Sequence, residues 1–440
     1  MLFNNIAYLN ADFQIERGYV GVIADRITYL SSAPPANLAD YGEQYAGAGR
    51  LLMPGLYNLH AHAPMTLLRG YAESLPLQDW LQQRIFPFES QMTAEDNYYG
   101  SLLAIAEMLR FGVVSYSDMY FYSDERIQAV AESGIKANIC PALMVFDPDV
   151  QLADLPEAAS NVRYAREFHG TLNGRLRVDL NIHSEYISNP SVVEAVGQQA
   201  RELGVGTHIH LSETQLEHEE CKARHHGLTP TAYFASLGFF EQPCTAAHAV
   251  WTEPADWQLL AANGVSVASC PASNFKLASG FAPLTGLLAA GVNVGLGTDG
   301  VASNNNHNMF QDLYLLATVF KAAAADPQVL SPAEALRIAT LNGALAQGRP
   351  DCGRIALGNR ADLVVLDTTG PWWQPISSLL NNLVFAGQGS DVVLTMVDGR
   401  VLYRDGQWPT IDVQRVAQAV QAATDRISGQ LAAAPGKISE

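Results

Sequence analysis

The 440-residue chain contains few cysteines, few lysines and no long apolar run. Its five cysteines (140, 221, 244, 270 and 352) form no Cys-x-x-Cys pair and are odd in number, which favours reduced thiols. No window approaches the ~20 apolar residues that a membrane helix requires. The N-terminus "MLFNNIAYLNADF" has neither the basic region nor the apolar core of a signal peptide. These absences predict a soluble, cytoplasmic protein.

Positive charge is also scarce, because 5 lysines and 21 arginines stand against 44 acidic residues and the net charge is −18. Such acidity argues against nucleic acid or an anionic membrane as a partner. The composition is otherwise that of an ordinary globular protein, since 48% of the residues are apolar and 16% are charged. The chain is therefore expected to bury a large core.

Strand-like and helix-like segments alternate between residues 53 and 353. Eight short apolar or β-branched runs lie near residues 53–60, 113–118, 136–143, 177–183, 205–211, 244–248, 265–270 and 292–298. Helical patterns separate them, the clearest having Thr93 as its N-cap and Gly112 at its end. Eight such repeats in about 300 residues predict an α/β fold with a (β/α)8 TIM-like barrel. A doubly wound open sheet is the competing architecture, but no Gly-x-Gly-x-x-Gly follows the early strands.

Strand-like sequence patterns also occur at both ends of the chain. Residues 1–52 and 354–410 contain short apolar runs separated by turn residues, including two "DG" pairs suited to hairpins in the second segment. We expect the two segments to join in a small discontinuous β-sandwich domain beside a barrel of residues 53–353. Residues 411–440 are expected to form a C-terminal helix and a polar tail.

The stretch "NLHAHAPMTLLRG", residues 58–70, places two histidines where the first barrel strand is expected to end. On a strand, residues i and i+2 point to the same side, so the rings of His60 and His62 face one point. Two buried imidazoles are costly without a shared partner. The pair therefore favours a common bound ion over a packing role.

Polar side chains also close later strands: His183 in "NIHSE", His210 and Glu213 in "HIHLSE", His248 in "TAAHAV" and Asp299 in "GLGTDG". In a barrel of this kind, the strand ends at one face carry the chemistry. Three imidazoles and one carboxylate suit a divalent ion such as zinc, with a position left for water. An ion of this kind lowers the pKa of water towards ~7, and Glu213 is placed to accept the proton.

These motifs resemble the amidohydrolase superfamily, and within it the branch of chlorohydrolases and amino-heterocycle deaminases. The matching segments span nearly the whole chain: "PGLYNLHAHAPMTLLRG", "HIHLSET", the His248 strand, "GTDGVASNNNHNMF", "GRIALGNRADLVVLD" and "LLNNLVFAGQGSDV". The resemblance implies one metal ion bound by His60, His62, His210 and Asp299. Zinc is the expected ion, although ferrous iron accepts the same ligands.

The resemblance also implies catalytic roles. Glu213 would carry the proton to the ring nitrogen of the substrate, and His248 and Asp299 would assist attack by water and departure of ammonia. His183 would contact the substrate ring.

Within the branch, the chain resembles most the deaminases of 5'-methylthioadenosine and S-adenosylhomocysteine. The segment "RGYAESLPLQDWLQQRIFPFE" places Trp80 and Glu89 at positions that line the substrate pocket and hold the ribose in that group. The resemblance thus implies a small-molecule substrate. Barrels of this sort commonly pair, so a homo-oligomer is compatible with the sequence.

The positions of the other histidines in the sequence indicate their roles. His208 also faces inward and rivals His210 as a ligand, but the His-x-x-Glu spacing of the family favours His210. The sequence leaves open whether His307 and Glu185 contact the substrate. Four histidines in polar helical stretches are expected to be solvated: His169, His218, His225 and His226.

The absence of a lysine at the end of a middle barrel strand predicts the number of metal ions. Two-metal members of the superfamily use a carboxylated lysine on a middle strand as a bridge. Between His62 and His210 the only lysine is Lys136, which lies at the start of its strand and therefore at the wrong end. One metal ion is predicted.

The predicted function is that of a metal-dependent hydrolytic deaminase of an amino-substituted heterocycle. A 5'-substituted adenosine such as 5'-methylthioadenosine would give the inosine analogue and ammonia. The alternatives are an aminohydrolase or chlorohydrolase acting on guanine, a pterin or a triazine, and a metal-free barrel that serves as a scaffold.

The segment after the third barrel strand departs from the family pattern. Deaminases that accept S-adenosylhomocysteine place an arginine there, whereas "NICPALMVFDPD" has no basic residue and contains Asp147 and Asp149. Glu185, after the fourth strand, would add another negative charge. Neutral 5'-substituted adenosines are therefore predicted to be preferred over S-adenosylhomocysteine.

Overall fold

A computed structural model describes residues 1–433 of the chain. The strands are β1 (Leu2–Leu9), β2 (Ile15–Ile23), β3 (Arg26–Ser31), β4 (Gln44–Ala46), β5 (Arg50–Pro54), β6 (Leu56–Ala61), β7 (Val113–Tyr120), β8 (Lys136–Pro141), β9 (Leu176–Val178), β10 (Leu180–Asn181), β11 (Thr207–Leu211), β12 (Cys244–His248), β13 (Ser266–Ser269), β14 (Asn293–Leu296), β15 (Leu363–Asp367), β16 (Val392–Val397) and β17 (Arg400–Arg404).

The α-helices are α1 (Leu77–Trp80), α2 (Phe86–Glu89), α3 (Ala94–Arg110), α4 (Ser123–Ser133), α5 (Pro156–Phe168), α6 (Pro190–Leu203), α7 (Gln215–Arg224), α8 (Pro230–Ser236), α9 (Pro254–Ala262), α10 (Pro271–Lys276), α11 (Leu284–Ala289), α12 (Met309–Ala324), α13 (Pro332–Arg337), α14 (Gly343–Ala346), α15 (Leu379–Phe385) and α16 (Val413–Ala433). The predicted helix at 93–112 is α3, which has a capping box between Thr93 and Asp96 and ends before Gly112, a glycine with φ of 80°.

The parallel strands form two sheets, in the orders β6-β7-β8-β9 and β10-β11-β12-β13-β14. Each of the eight predicted runs contains a strand, and the fourth run is divided into β9 and β10. Every residue of β6, β7 and β8 is buried, as expected for parallel strands covered on both faces. The ends of β6 and β14, the first and last parallel strands, lie side by side. The backbone N–H of Asp299 donates to the carbonyl of His60 at 2.9 Å.

The strands at the two ends of the chain meet in one eight-stranded sheet of order β17-β16-β15-β5-β1-β2-β3, with β4 paired to β1. The joint lies between β5 and β15, which pair antiparallel from Leu363 opposite Pro54 to Asp367 opposite Arg50. The expected association of N-terminal and C-terminal strands is therefore present. Their arrangement is that of a single sheet, and the expectation of a β-sandwich is not confirmed.

Helix α16 lies where the C-terminal helix was predicted. The hydroxyl of Thr424 donates to the carbonyl of Leu67 at 3.0 Å, and Arg426 forms an ion pair with Asp96 of α3. The helix thereby packs on the segment that follows β6. The predicted polar tail, from residue 434 onward, lies outside the described residues.

Two expectations from composition have structural counterparts. All five cysteines are buried and free. None of the helices in residues 1–433 combines the length and the apolar character that crossing a membrane requires.

Candidate active site

Strand β6 brings His60 and His62 to one point at its carboxyl end. Their Nε2 atoms lie 3.5 and 3.2 Å, respectively, from Oδ1 of Asp299. The two rings are nearly perpendicular, with centroids 4.8 Å apart. The His-x-His spacing therefore directs two ring nitrogens to the same carboxylate, as the strand geometry predicts.

Asp299 reaches this point because the segment after β14 approaches β6 closely. A Cβ atom at Gly297 would lie 3.1 Å from Cβ of His60, so a side chain there would force the strands apart. Asp299 itself has a left-handed φ of 61°, a strained backbone of the kind that clusters at functional sites. Its Oδ2 accepts hydrogen bonds from the hydroxyls of Ser273 and Ser303 at 2.6 and 2.9 Å, which leaves Oδ1 facing the histidines.

His210 completes the cluster from β11, with its Nε2 3.4 Å from Nε2 of His62. The Nδ1–H of His210 donates to the carbonyl of His183 at 2.9 Å, and the Nδ1–H of His62 donates to the carbonyl of Met119 at 2.5 Å. A carbonyl oxygen only accepts, so the proton of each neutral ring lies on Nδ1 and each Nε2 presents a lone pair. Two lone pairs at this distance repel each other, and a metal ion bound between them would remove that repulsion.

The donor set fits a divalent metal ion. Nε2 of His60 is buried and has no hydrogen-bond partner within residues 1–433, and burial lowers the pKa of this histidine to about 4, so the ring is neutral. Donor atoms arranged tetrahedrally ~2.0–2.1 Å from one zinc ion lie about 3.3 Å apart. The measured separations of 3.2 to 3.5 Å match that spacing.

Glu213 and His248 lie beside the cluster on neighbouring strand ends. Oε2 of Glu213 is 3.7 Å from Nε2 of His248, and Oε1 accepts a hydrogen bond from Ser279 at 3.4 Å. The Nδ1–H of His248 donates to the side-chain oxygen of Asn274 at 2.9 Å, which turns Nε2 towards Glu213. Burial raises the pKa of Glu213, so its proton affinity is greater than that of an exposed carboxylate. A group of this kind can accept and return a proton near neutral pH.

The residues predicted to bind substrate line one cavity of about 680 Å³: Trp80, Glu89, His183, Glu213 and His248. The ring of His183 packs on that of His210, with centroids 4.6 Å apart. Glu89 is half-buried and accepts a hydrogen bond from the Tyr120 hydroxyl at 2.6 Å. Burial raises the pKa of Glu89 to about 7.

His208 lies next to the cluster rather than in it. Its Nε2 is 2.9 Å from Nδ1 of His60, so it contacts the ring nitrogen that faces away from Asp299. This is the arrangement expected of a residue that orients a ligand histidine. The sequence analysis made the same distinction, with His210 as the expected ligand and His208 as its rival.

Two residues whose roles the sequence left open do not line the cavity. His307 is buried with its Nδ1 3.0 Å from the hydroxyl of Thr298. Glu185 is also buried, and it is paired with Arg224 at 2.5 Å and His225 at 2.7 Å. The negative charge expected from Glu185 is therefore neutralised by these two side chains.

The expectation that four helical histidines are solvated is correct only for His226, which is exposed. His218 is 2% exposed and lies between Ser212 and Glu253, because α7 packs that face inward. His169 and His225 are half-buried.

Sequence reasoning missed four side chains of the site: Tyr120, Met144, Tyr186 and Asn274. Tyr120 is the last residue of β7 and Met144 follows β8, so both occupy strand-end positions of the kind used to find the histidines. Being aromatic or apolar, they do not differ from core residues in sequence. Asn274, in the first turn of α10, has no comparable signal.

The chain belongs to the amidohydrolase family, whose model matches residues 51–402. It is 39% identical over 416 residues to a 5-methylthioadenosine/S-adenosylhomocysteine deaminase of Dictyoglomus thermophilum, covering 94% of this chain and 96% of that protein. It is also 39% identical over 380 residues to a 5'-deoxyadenosine deaminase of Methanosarcina mazei, covering 86% and 87% of the two chains.

A solved structure shares the fold over nearly its whole length. The adenosine deaminase of Xanthomonas campestris, determined with bound zinc, is 32% identical, has a TM-score of 0.89, and covers 97% of this chain and 98% of its own. The similarity supports a common architecture of the TIM-barrel type.

Proposed function

We propose that the protein is a metal-dependent hydrolytic deaminase of a 5'-substituted adenosine, which it converts to the inosine analogue and ammonia. The observation that carries this proposal is the clustering of Nε2 of His60, His62 and His210 with Oδ1 of Asp299 below a cavity that also holds Glu213 and His248. The named activities of the relatives support the same reaction.

The ligands of the ion would be His60, His62, His210 and Asp299. When bound, a divalent ion supplies Lewis acidity that lowers the pKa of water towards ~7. Zinc suits the nitrogen and oxygen donors and is the ion in the similar Xanthomonas structure. A single ion is favoured because Lys136 is occupied by ion pairs with Asp362 and Asp398 at the opposite strand ends.

In this proposal, Glu213 accepts a proton from the attacking water and delivers it to the ring nitrogen next to the amino-bearing carbon. The water oxygen forms a bond to that carbon, the proton of the added hydroxyl passes to the amino group, and the C–N bond then breaks with release of ammonia as the oxygen becomes the ring carbonyl. His248, held by Asn274, presents Nε2 to the oxygen that adds to the ring, accepts its proton and passes that proton to the departing amino group. The raised pKa of Glu213 matches a group that must both accept and return a proton.

The residues of the cavity wall support positions for the rest of the substrate. His183 contacts the ring, while Trp80 covers it from α1. Glu89 accepts hydrogen bonds from the ribose hydroxyls through the carboxylate oxygen that Tyr120 leaves free. We also infer that the two parallel sheets are parts of one (β/α)8 barrel.

The charge of the cavity favours a neutral substrate. Among the described residues, no lysine or arginine lines this cavity. The prediction that 5'-methylthioadenosine is preferred over S-adenosylhomocysteine therefore stands without the contribution first assigned to Glu185. Loss of a charge-assisted hydrogen bond to the carboxylate costs on the order of 1.5–3 kcal/mol, which corresponds to roughly tenfold to a hundredfold in kcat/KM.

A spectrophotometric screen of aminated heterocycles, with ammonia as the second readout, tests the proposal. We expect turnover of 5'-methylthioadenosine above that of guanine, pterins and aminotriazines. Turnover of one of those rings without turnover of any adenosine would replace the proposed substrate. A metal-free, inactive preparation that takes up no zinc would instead favour the scaffold alternative.

A further inference from the structure

A second cavity adjoins the active-site cavity and is named here the outer chamber. It is an open recess between α5 and the segments after β7 and β8. Six residues line both cavities: Phe86, Glu89, Tyr120, Phe121, Ala142 and Met144. The two spaces therefore adjoin along these shared residues.

The lining of the outer chamber is aromatic and carries no positive charge. Tyr122, Phe146 and Tyr164 join the shared residues, and within residues 1–433 the chamber has no lysine or arginine in its wall. Phe146 is 70% exposed, which is unusual for a large apolar side chain and leaves its ring available to a ligand. The charged groups of the wall, Glu89 and Glu157, are both acidic. Such a surface favours apolar groups and disfavours a carboxylate.

Glu89 lines both cavities, so a ribose bound to it lies next to the outer chamber. This step rests on the proposed function: with the purine ring beside Glu213 and His248, and the ribose at Glu89, we assign the 5'-carbon to the boundary between the two cavities. A group attached there continues past Tyr120 and Met144. We propose that the outer chamber is a binding site for large apolar 5'-substituents, including aromatic thioethers.

A substrate series tests this proposal on the unmodified protein. The compounds are 5'-deoxyadenosine, 5'-methylthioadenosine, 5'-benzylthioadenosine and S-adenosylhomocysteine. Because burial of apolar surface favours binding in proportion to its area, we expect kcat/KM for the benzylthio compound to equal or exceed that for the methylthio compound. A lower value would overturn the inference and leave the proposed function intact. Deamination of none of the four would overturn the proposed function, and the inference with it.

A matched pair of variants on α5 locates the effect. Ser160 lines the chamber and is half-buried, whereas Ala159 beside it is exposed and does not line the chamber. We expect Ser160→Trp to lower the ratio of kcat/KM for benzylthio to deoxy substrate at least tenfold, and Ala159→Trp to change it less than twofold. An unchanged ratio in folded Ser160→Trp would overturn the assignment. Should that variant fail to fold, the substrate series on the unmodified protein still decides.

Discussion

The two ends of the parallel strands both bury ionisable side chains, but the groups are partnered in different ways. At the amino end, Lys136 forms ion pairs with Asp362 and Asp398, and the hydroxyl of Tyr57 donates to Asp362 at 2.6 Å. At the carboxyl end, Nε2 of His60 and Nε2 of His62 lie near Oδ1 of Asp299, and Nε2 of His60 has no hydrogen-bond partner within residues 1–433. Charges that satisfy one another hold the sheets together, whereas groups left unsatisfied beside a cavity mark a binding site.

The largest effect is expected from removing a group at the carboxyl end. His62→Ala and His210→Ala should reduce bound zinc from one equivalent to less than about a tenth and abolish turnover, because each removes a lone pair from the donor set. His208→Ala should retain the ion with affinity lowered roughly 10- to 100-fold, as for residues that orient a ligand. Metal analysis of the purified variants distinguishes them. Loss of metal at 208 with retention at 210 would show that the two assignments are exchanged.

At the carboxyl end of the strands, Glu213→Gln distinguishes loss of catalysis from loss of the metal ion. The amide cannot accept the proton of water, so kcat should fall roughly 10²- to 10⁴-fold. Metal content and the melting temperature should stay those of the unmodified protein. Retention of more than a tenth of kcat would rule out the role assigned to this carboxylate.

The amino end should respond in stability rather than in chemistry. Lys136→Met leaves Asp362 buried without its cation, whereas Asp398 keeps Arg360 at 3.5 Å. An unpaired buried charge typically costs about 3–5 kcal/mol in the free energy of unfolding. Urea denaturation measures this loss, and kcat of the folded fraction should change less than twofold. Arg163→Met is the control, because its ion pair with Asp124 is exposed and worth about 1 kcal/mol or less. Equal losses in the two variants would contradict the contrast drawn between buried and exposed pairs.

The smallest expected effect concerns pH. Burial raises the pKa of Glu89 to about 7, so the carboxylate gains a proton as the pH falls through that value and loses the negative charge that strengthens its hydrogen bonds from the ribose. We expect kcat/KM to fall roughly tenfold between pH 8 and pH 6. The kcat/KM of Glu89→Gln should lack this pH dependence, and at pH 8 it should be lower than that of the unmodified protein. An unchanged profile in that variant would assign the pH dependence to another group.

The histidine cluster was predictable because its signal is periodic. His60 and His62 obey the alternation of a strand, and polar residues at His210 and Asp299 interrupt apolar runs at equivalent ends. The prediction that His218 is solvated was wrong, because a histidine in a polar helical sequence is expected to face solvent unless the packing of α7 is known. Tyr120 and Met144 were missed for the opposite reason, since an apolar residue that lines a cavity has the same character as one in the core.

The two-sheet arrangement of the parallel strands and the single sheet at the chain ends follow from pairings between distant segments. The antiparallel pairing of β5 with β15 joins residues more than 300 positions apart, and local pattern predicts only that both are strands. The cavity walls depend in the same way on which helices cover the strand ends.

The most direct test of the metal centre is a titration of metal-free protein with zinc. Chelated and dialysed protein should release no ammonia from 5'-methylthioadenosine, and activity should then rise linearly to a plateau at one equivalent of zinc per chain. The Lys136→Met variant should show the same stoichiometry, because its altered group lies at the other strand ends. Activity that survives complete removal of the metal, or a plateau at two equivalents, would contradict the single metal centre proposed here.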